Sequence, residues 1–162
     1  MKPSTRKVVF SHKRGNWPTP GLLFSRLDDE FHFTLDACGS HDNAKVTSFF
    51  EEPFFEHSIG AIDSTWVGTV WCNPPYGPGL PLWVAKAEWS ARTVVGVTVV
   101  LLLPARTDTK WWHDIVMKAA EIRFIRGRIR FHGAKAGAPF PSVVVVFRHG
   151  HRGQPIVSSY QS

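Results

Sequence analysis

Asn73-Pro74-Pro75-Tyr76 carries the strongest chemical signal in the chain. It follows a β-like run, Thr69-Val70-Trp71-Cys72, and precedes Gly77-Pro78-Gly79. The Asn73 side-chain carbonyl can accept one N–H of a planar amino group. The Pro74 carbonyl can accept the other. Two successive prolines fix φ and pre-set the loop, so neither acceptor has to be ordered when a substrate arrives. Tyr76 can stack on the ring that carries the amine. Two acceptors on one exocyclic NH2 draw its lone pair out of conjugation as the nitrogen attacks an electrophile. The same residues also suit a proline-stiffened turn with a surface tyrosine.

Such a loop needs a scaffold. Leu22, Leu23, Leu27 and Phe31 recur at helical spacing, which predicts a short amphipathic helix over residues 21–30 capped by Thr19 or Ser25. Phe33-Thr34-Leu35-Asp36 reads as a strand ending in an acid, residues 46–50 as a short strand, and Ile62-Asp63 as a strand stub. Residues 82–92 and 109–120 read as helices, the first with Trp83, Ala87 and Ala91 on one side. The apolar runs 94–103 and 142–147 read as strands buried on both faces, the signature of a parallel sheet covered by helices. Residues 121–125 and 127–131 are further strand candidates, and 134–141 a Gly/Pro/Ala loop. Alternating strands and helices predict a three-layer α/β fold. In such sheets ligands bind at the carboxyl ends of strands. Asp36, Asn73 and the stretch Pro104-Ala105-Arg106-Thr107-Asp108 all fall at strand ends.

The 162 residues fit one compact domain, with 43% hydrophobic residues to build its core. Residues 1–15 read as a flexible basic arm, 16–150 as a single domain and 151–162 as a polar, frayed tail. No apolar run reaches the roughly 18–20 residues a membrane helix needs, and the N-terminus has no secretory h-region. Cys38 and Cys72 make no CxxC pair, which points to a reducing, cytoplasmic home. The eight histidines show no metal spacing apart from His149/His151 near the end, so no metal site is expected. A net charge of +6 favours a polyanionic partner. Arg123, Arg126, Arg128 and Arg130 are its densest cluster. Alternation from Arg126 to Arg130 would line three guanidinia along one strand face as a phosphate-tracking edge, or simply solvate that face.

Taken in order, these motifs resemble a known family. The tetrapeptide resembles that of amino-directed, S-adenosylmethionine-dependent methyltransferases, and Asn in first place is similar to the N6-adenine form. Trp17-x-Thr19-Pro20, Phe33 to Cys38, Asn43-Ala44-Lys45, Trp71 to Gly77, Leu103 to Thr109, Gly127 to Phe131 and Ala138 to Ser142 together resemble the small phage-type (Dam-like) DNA N6-adenine methyltransferases. The resemblance spans residues 17–147. It implies a Rossmann-like class I methyltransferase fold with a central, mostly parallel sheet flanked by helices. It implies S-adenosylmethionine as cofactor and duplex DNA as partner, with the target adenine flipped out of the helix.

The resemblance also distributes roles. Asn73, Pro74, Pro75 and Tyr76 would be catalytic. Thr19 and Pro20 would cradle the methionine end of the cofactor, with Asp36, Ala37, Cys38 and Gly39 at the first strand's turn and Asp36 on its ammonium. Asp63 would contact the cofactor adenine, and Glu51 and Glu52 its ribose. Thr19-Pro20 also suits a plain helix start, and Asp36 and Asp63 plain turn acids. The chain lacks a G-x-G fingerprint, a departure from the usual cofactor loop. Arg106, Asp108, Arg126, Arg128, Arg130 and Phe131 would face DNA, Phe131 stacking opposite Tyr76 or serving as a core strand residue. A phage-like setting would imply shielding of phage DNA from host restriction. No target-recognition domain fits in this length, so a monomer or weak dimer acting through short loops is expected. Two rivals present the same logic: methylation of RNA adenine or protein glutamine, and a catalytically silent DNA-binding scaffold.

Overall fold

The computed structural model describes residues 17–50 and 60–161. Glu51, Glu52 and the expected basic arm at 1–15 lie outside them. Helix α1 is Gly21–Phe31, strand β1 Leu35–Asp36, β2 Thr69–Cys72, helix α2 Leu80–Thr93, β3 Thr98–Pro104, the short helix α3 Lys110–Asp114, β4 Glu121–Ile125, β5 Ser142–Arg148 and β6 Ile156–Tyr160, with a 3-10 turn at Val116–Lys118.

The strands form one sheet in the order β1-β2-β3-β5-β4-β6. β1, β2 and β3 run parallel, β4 and β6 run parallel to each other, and β5 is antiparallel to both of its neighbours, β3 and β4. All strands but β5 therefore share one direction. Val99 to Pro104 and Ser142 to Phe147 are buried throughout, so both faces of β3 and β5 are covered. Branched side chains at these positions suit a pleated, two-sided core. Their register is continuous, Leu101 opposite Val145 and Leu102 opposite Val144.

α1 presents Leu23, Leu27 and Phe31 inward and ends at His32, which takes a left-handed conformation (φ 53°). Its start differs from expectation. Pro20 occupies the cap position and no side chain caps the helix; the Thr19 hydroxyl meets Asn73 instead. α2 starts with Pro81 in its first turn, the place where a missing N–H costs nothing. It buries Leu80, Trp83, Val84, Ala87 and Ala91.

Further elements depart from the sequence expectation. Ile62-Asp63 lies in a turn, with the Asp63 N–H donating to the Gly60 carbonyl, rather than in a strand. The helix expected over 109–120 breaks at Ile115, whose ψ of −57° comes with a φ of −123°. Residues 127–131 form no strand. Their alternation is real in burial, Ile129 and Phe131 inside and Arg126, Arg128 and Arg130 outside, but it is packing of an extended loop and not a ladder. The expected frayed tail instead carries β6, which pairs with β4 from Glu121 opposite Ile156 to Ile125 opposite Tyr160. Its side chains are mostly exposed, so backbone pairing and not an apolar face defines it. The expected strand at 46–50 is reduced to one bridge, Asp36 with Phe49.

Candidate active site

β1, β2 and β3 are adjacent and parallel, so their carboxyl ends share one edge of the sheet. That topology brings together the three strand ends of interest: Asp36, Asn73 and Pro104 with the loop after it. A small cavity of about 20 Å³ opens between the first two, lined by Pro18, Thr19, Asp36, Cys38, Asn43, Lys45, Trp71 and Asn73.

Asn73 is held by both hydrogens of its amide. Nδ2 donates to the Trp17 carbonyl at 2.6 Å and to Thr19 Oγ1 at 3.0 Å. A backbone carbonyl can only accept, so the nitrogen must face Trp17 and the oxygen must face away. Oδ1 is buried and has no partner among the described residues. Buried acceptors are normally satisfied. An oriented, desolvated carbonyl oxygen without a donor suits an incoming N–H.

Tyr76 is buried, and its hydroxyl donates to the Leu102 carbonyl on β3 at 3.0 Å. Burial pushes its phenol well above the ordinary range, with Cys72 and Cys38 adding to the effect, so it stays a neutral donor. This bond ties the Pro74-Pro75 loop to the neighbouring strand. The ring meets Phe131 and Phe140 edge-on, with centroids 6.2 and 5.5 Å away. Phe131 is 1% exposed and also packs on Trp17. Of the two readings of Phe131, base-stacking partner or core residue, its burial supports the core one, although no strand carries it. Phe140 is less buried.

Asp36 is also buried, 3% exposed. Its Oδ1 accepts the Cys38 N–H at 3.0 Å and its Oδ2 the Lys45 N–H at 2.9 Å. Burial raises its pKa above the ordinary carboxylate value, while the two backbone bonds and the Lys45 charge pull the other way without reversing the shift. Gly39 is tight for an internal reason: a Cβ there would sit 2.9 Å from those of Ala44 and Phe49. The missing side chain lets residues 40–50 fold back over the end of β1. Ala37 is buried in that same strand end, and Cys38 Sγ lies 3.5 Å from Cys72 Sγ. Asn43 closes the turn by accepting the Ser40 N–H.

The acid and the lysine around this cavity match the ammonium and carboxylate of an amino acid. The cavity has room for about one water, so a larger ligand seats only if neighbouring side chains shift. Pro20 stands beside Thr19 at the start of α1. Asp63 is exposed in its turn and does not line this cavity; its charge acts on Lys86, whose pKa is lowered by burial and partly restored by Asp63.

Arg106 and Asp108 are exposed in the loop after β3, at the same sheet edge as Asn73. Arg126, Arg128 and Arg130 are exposed on the loop whose Ile129 and Phe131 are buried. The His132 N–H donates to the Pro18 carbonyl at 3.0 Å, docking that loop beside Trp17. Arg123, in contrast, leaves the positive cluster. It pairs with Glu30 and Glu121, and these bonds raise its already high pKa. Among the described residues no group of three or more His, Cys, Asp or Glu could hold a metal ion. None of the described helices is long and apolar enough to cross a membrane.

Residue order carries no sign of the Trp17 carbonyl, because a main-chain acceptor leaves no residue-type signal. Asn43 and Lys45 had no assigned role either, although their place in the ordered motifs pointed to them.

The chain is 32% identical over 155 residues to the DNA N-6-adenine-methyltransferase of Haemophilus phage HP1, covering 90% of this chain and 86% of that one. It is 29% identical over 116 residues to the DNA N-6-adenine-methyltransferase of Escherichia phage T1, covering 69% of this chain and 45% of that protein. Among solved structures, a predicted O-methyltransferase of Agrobacterium tumefaciens aligns at a TM-score of 0.42 and 13% identity, over 89% of this chain and 67% of that one. The family profile described as DNA N-6-adenine-methyltransferase (Dam) matches residues 7–161, and the chain belongs to that family.

Proposed function

We propose that this protein transfers a methyl group from S-adenosylmethionine to the exocyclic N6 of adenine in duplex DNA. The observation that carries this reading is the buried Oδ1 of Asn73, without a donor among the described residues and oriented by two bonds on the opposite side of the same amide. When bound, S-adenosylmethionine supplies a sulfonium-activated methyl group. Asp36 would hold the ammonium of its amino-acid end and Lys45 would attract its carboxylate. Asn73 Oδ1 and the Pro74 carbonyl accept the two N6 hydrogens. Their attraction grows as positive charge develops on the nitrogen, so the pair acts mainly in the transition state. Holding nitrogen and methyl in line contributes further through proximity.

An adenine inside a duplex cannot reach this edge of the sheet, so it leaves the stack at a cost of a few kcal/mol. Tyr76 offers it a stacking face whose position the Leu102 bond fixes. Half-buried Phe140 is the ring that gives way. Exposed Arg106, Arg126, Arg128 and Arg130 bind phosphates. Asp108 borders the target pocket. On this reading the protein works in the cytoplasm as a monomer or weak dimer.

The test is tritiated methyl transfer from S-adenosylmethionine to unmethylated duplex DNA, followed by nucleoside mass spectrometry. N6-methyladenine in the digest is expected. Asn73→Ala should lower the rate by roughly 10²–10³-fold, the cost of losing one acceptor or donor aimed at developing charge, with cofactor binding retained. Label in RNA or protein but not in duplex DNA would overturn the substrate. A protein that binds DNA but not S-adenosylmethionine would be a silent scaffold instead.

A further inference from the structure

Both hydrogens of the Asn73 amide are engaged, and one of the two acceptors is a side chain. We infer that Thr19 is a positioning residue for Asn73, holding the plane of an amide whose end the Trp17 carbonyl selects, so that Oδ1 meets the substrate amine. The inference rests on the proposed role of Asn73 in methyl transfer, and it gives Thr19 a task distinct from holding the cofactor.

The geometry is specific. Thr19 is 3% exposed, so its hydroxyl does not exchange freely with water. Its Oγ1 lies 3.0 Å from Asn73 Nδ2, and the Trp17 carbonyl takes the other hydrogen at 2.6 Å. An asparagine amide is nearly symmetric in shape, so packing alone distinguishes its two ends poorly. If it rotated by half a turn, Nδ2 would point a donor at the substrate's own N–H and Oδ1 would face the Trp17 carbonyl. The Trp17 carbonyl, which can only accept, prevents this, and the bond to the Thr19 hydroxyl holds the plane of the amide so that Oδ1 stays aimed at the amine. Pro18 and Pro20 restrict the backbone on either side of Thr19, which keeps both acceptors in place without a substrate. The Thr19 hydroxyl therefore does not serve as a helix cap: no side chain caps α1, and the oxygen is engaged by Asn73.

Thr19→Val tests this by replacing the hydroxyl with a methyl group of similar size. In the full chain, kcat for methyl transfer to duplex DNA should fall about tenfold, the equivalent of one hydrogen bond. The dissociation constant for S-adenosylmethionine, measured by calorimetry, should stay within about twofold. Thr19→Ser should return kcat to within about twofold of the native value. On an Asn73→Ala background, Thr19→Val should cost nothing further, because the two residues act as one unit. Thr19→Ala repeats the measurement if the valine variant melts early. A Thr19→Val protein that loses cofactor affinity while kcat at saturation survives would overturn the inference, as would losses that add across the double mutant. An inactive Asn73→Ala with a fully active Thr19→Val overturns this inference alone. A fully active Asn73→Ala overturns the role of Asn73 itself and this inference with it.

Discussion

Asp36 shows how binding and folding pull one residue in opposite directions. Burial raises its folded-state pKa above 3.8, so the folded protein holds the proton more tightly than the unfolded chain. Its contribution to stability is then fullest below the ordinary carboxylate value and is lost as pH rises through the folded-state pKa. An ammonium ligand needs the charged form. Affinity for S-adenosylmethionine should therefore fall on acidification with a midpoint above 3.8, seen by calorimetry across pH. Asp36→Asn should remove that dependence and weaken binding at neutral pH by about 2–5 kcal/mol, the usual loss when one partner of a buried charge pair is truncated. Asparagine also has one acceptor where two backbone donors, Cys38 and Lys45, now meet two oxygens. Neither the shift nor the donors are visible in residue order, since both come from residues 37–45 folding back over the strand end.

Elements are clasped at the other end of the sheet. Gly68 has a φ of +73°, and a Cβ there would stand 2.4 Å from Thr34 Oγ1. Its carbonyl accepts the Thr98 N–H, and Thr34 Oγ1 accepts the Thr69 N–H. One turn thus joins the approaches to β1, β2 and β3, the three strands that set the site. Gly68→Ala should cost about 1–3 kcal/mol from the strained conformation alone, with the clash added, read as a lower denaturant midpoint at unchanged slope. α2 and strands β2 to β5 were legible because apolar periodicity, proline and β-branching act locally. The strand expected at 127–131 failed because alternation records burial, and burial here comes from Trp17 and Tyr76 instead of a hydrogen-bonded neighbour. β6 escaped notice for the opposite reason: its ladder needs backbone only, and its exposed side chains carry no pattern.

Charge is spread unevenly over the molecule. The net +6 says that a polyanion is attracted but not where. Arg123 and Arg148 are neutralised by Glu30 and Glu121. Burial pushes Glu121 up, yet Arg148 and Arg123 outweigh it and leave its carboxyl below the usual value. Among the described residues, the exposed cations outside that pairing include Arg106, Arg126, Arg128 and Arg130 together with Lys118, Lys135 and Arg152. Substituting Arg126, Arg128 and Arg130 together by alanine should weaken DNA binding. It should also flatten the salt dependence by about 0.9 in log–log slope for each phosphate left without its arginine. Arg123→Ala should leave that slope unchanged and instead lower stability by about 1–3 kcal/mol through the stranded carboxylates. Fluorescence anisotropy over a salt series separates the two.

Residue types and their order were enough to specify the chemical groups and the strand ends that carry them. Asn73, Asp36 and Arg106 could be named because strand ends and proline-stiffened loops are local features. Folding in three dimensions set which end of the Asn73 amide faces outward, put Phe131 in the core, and took Arg123 out of the basic cluster. Each of these depends on a partner far along the chain, Trp17 for Asn73, Trp17 again for Phe131, Glu30 for Arg123, and residue order alone cannot say which distant groups will meet.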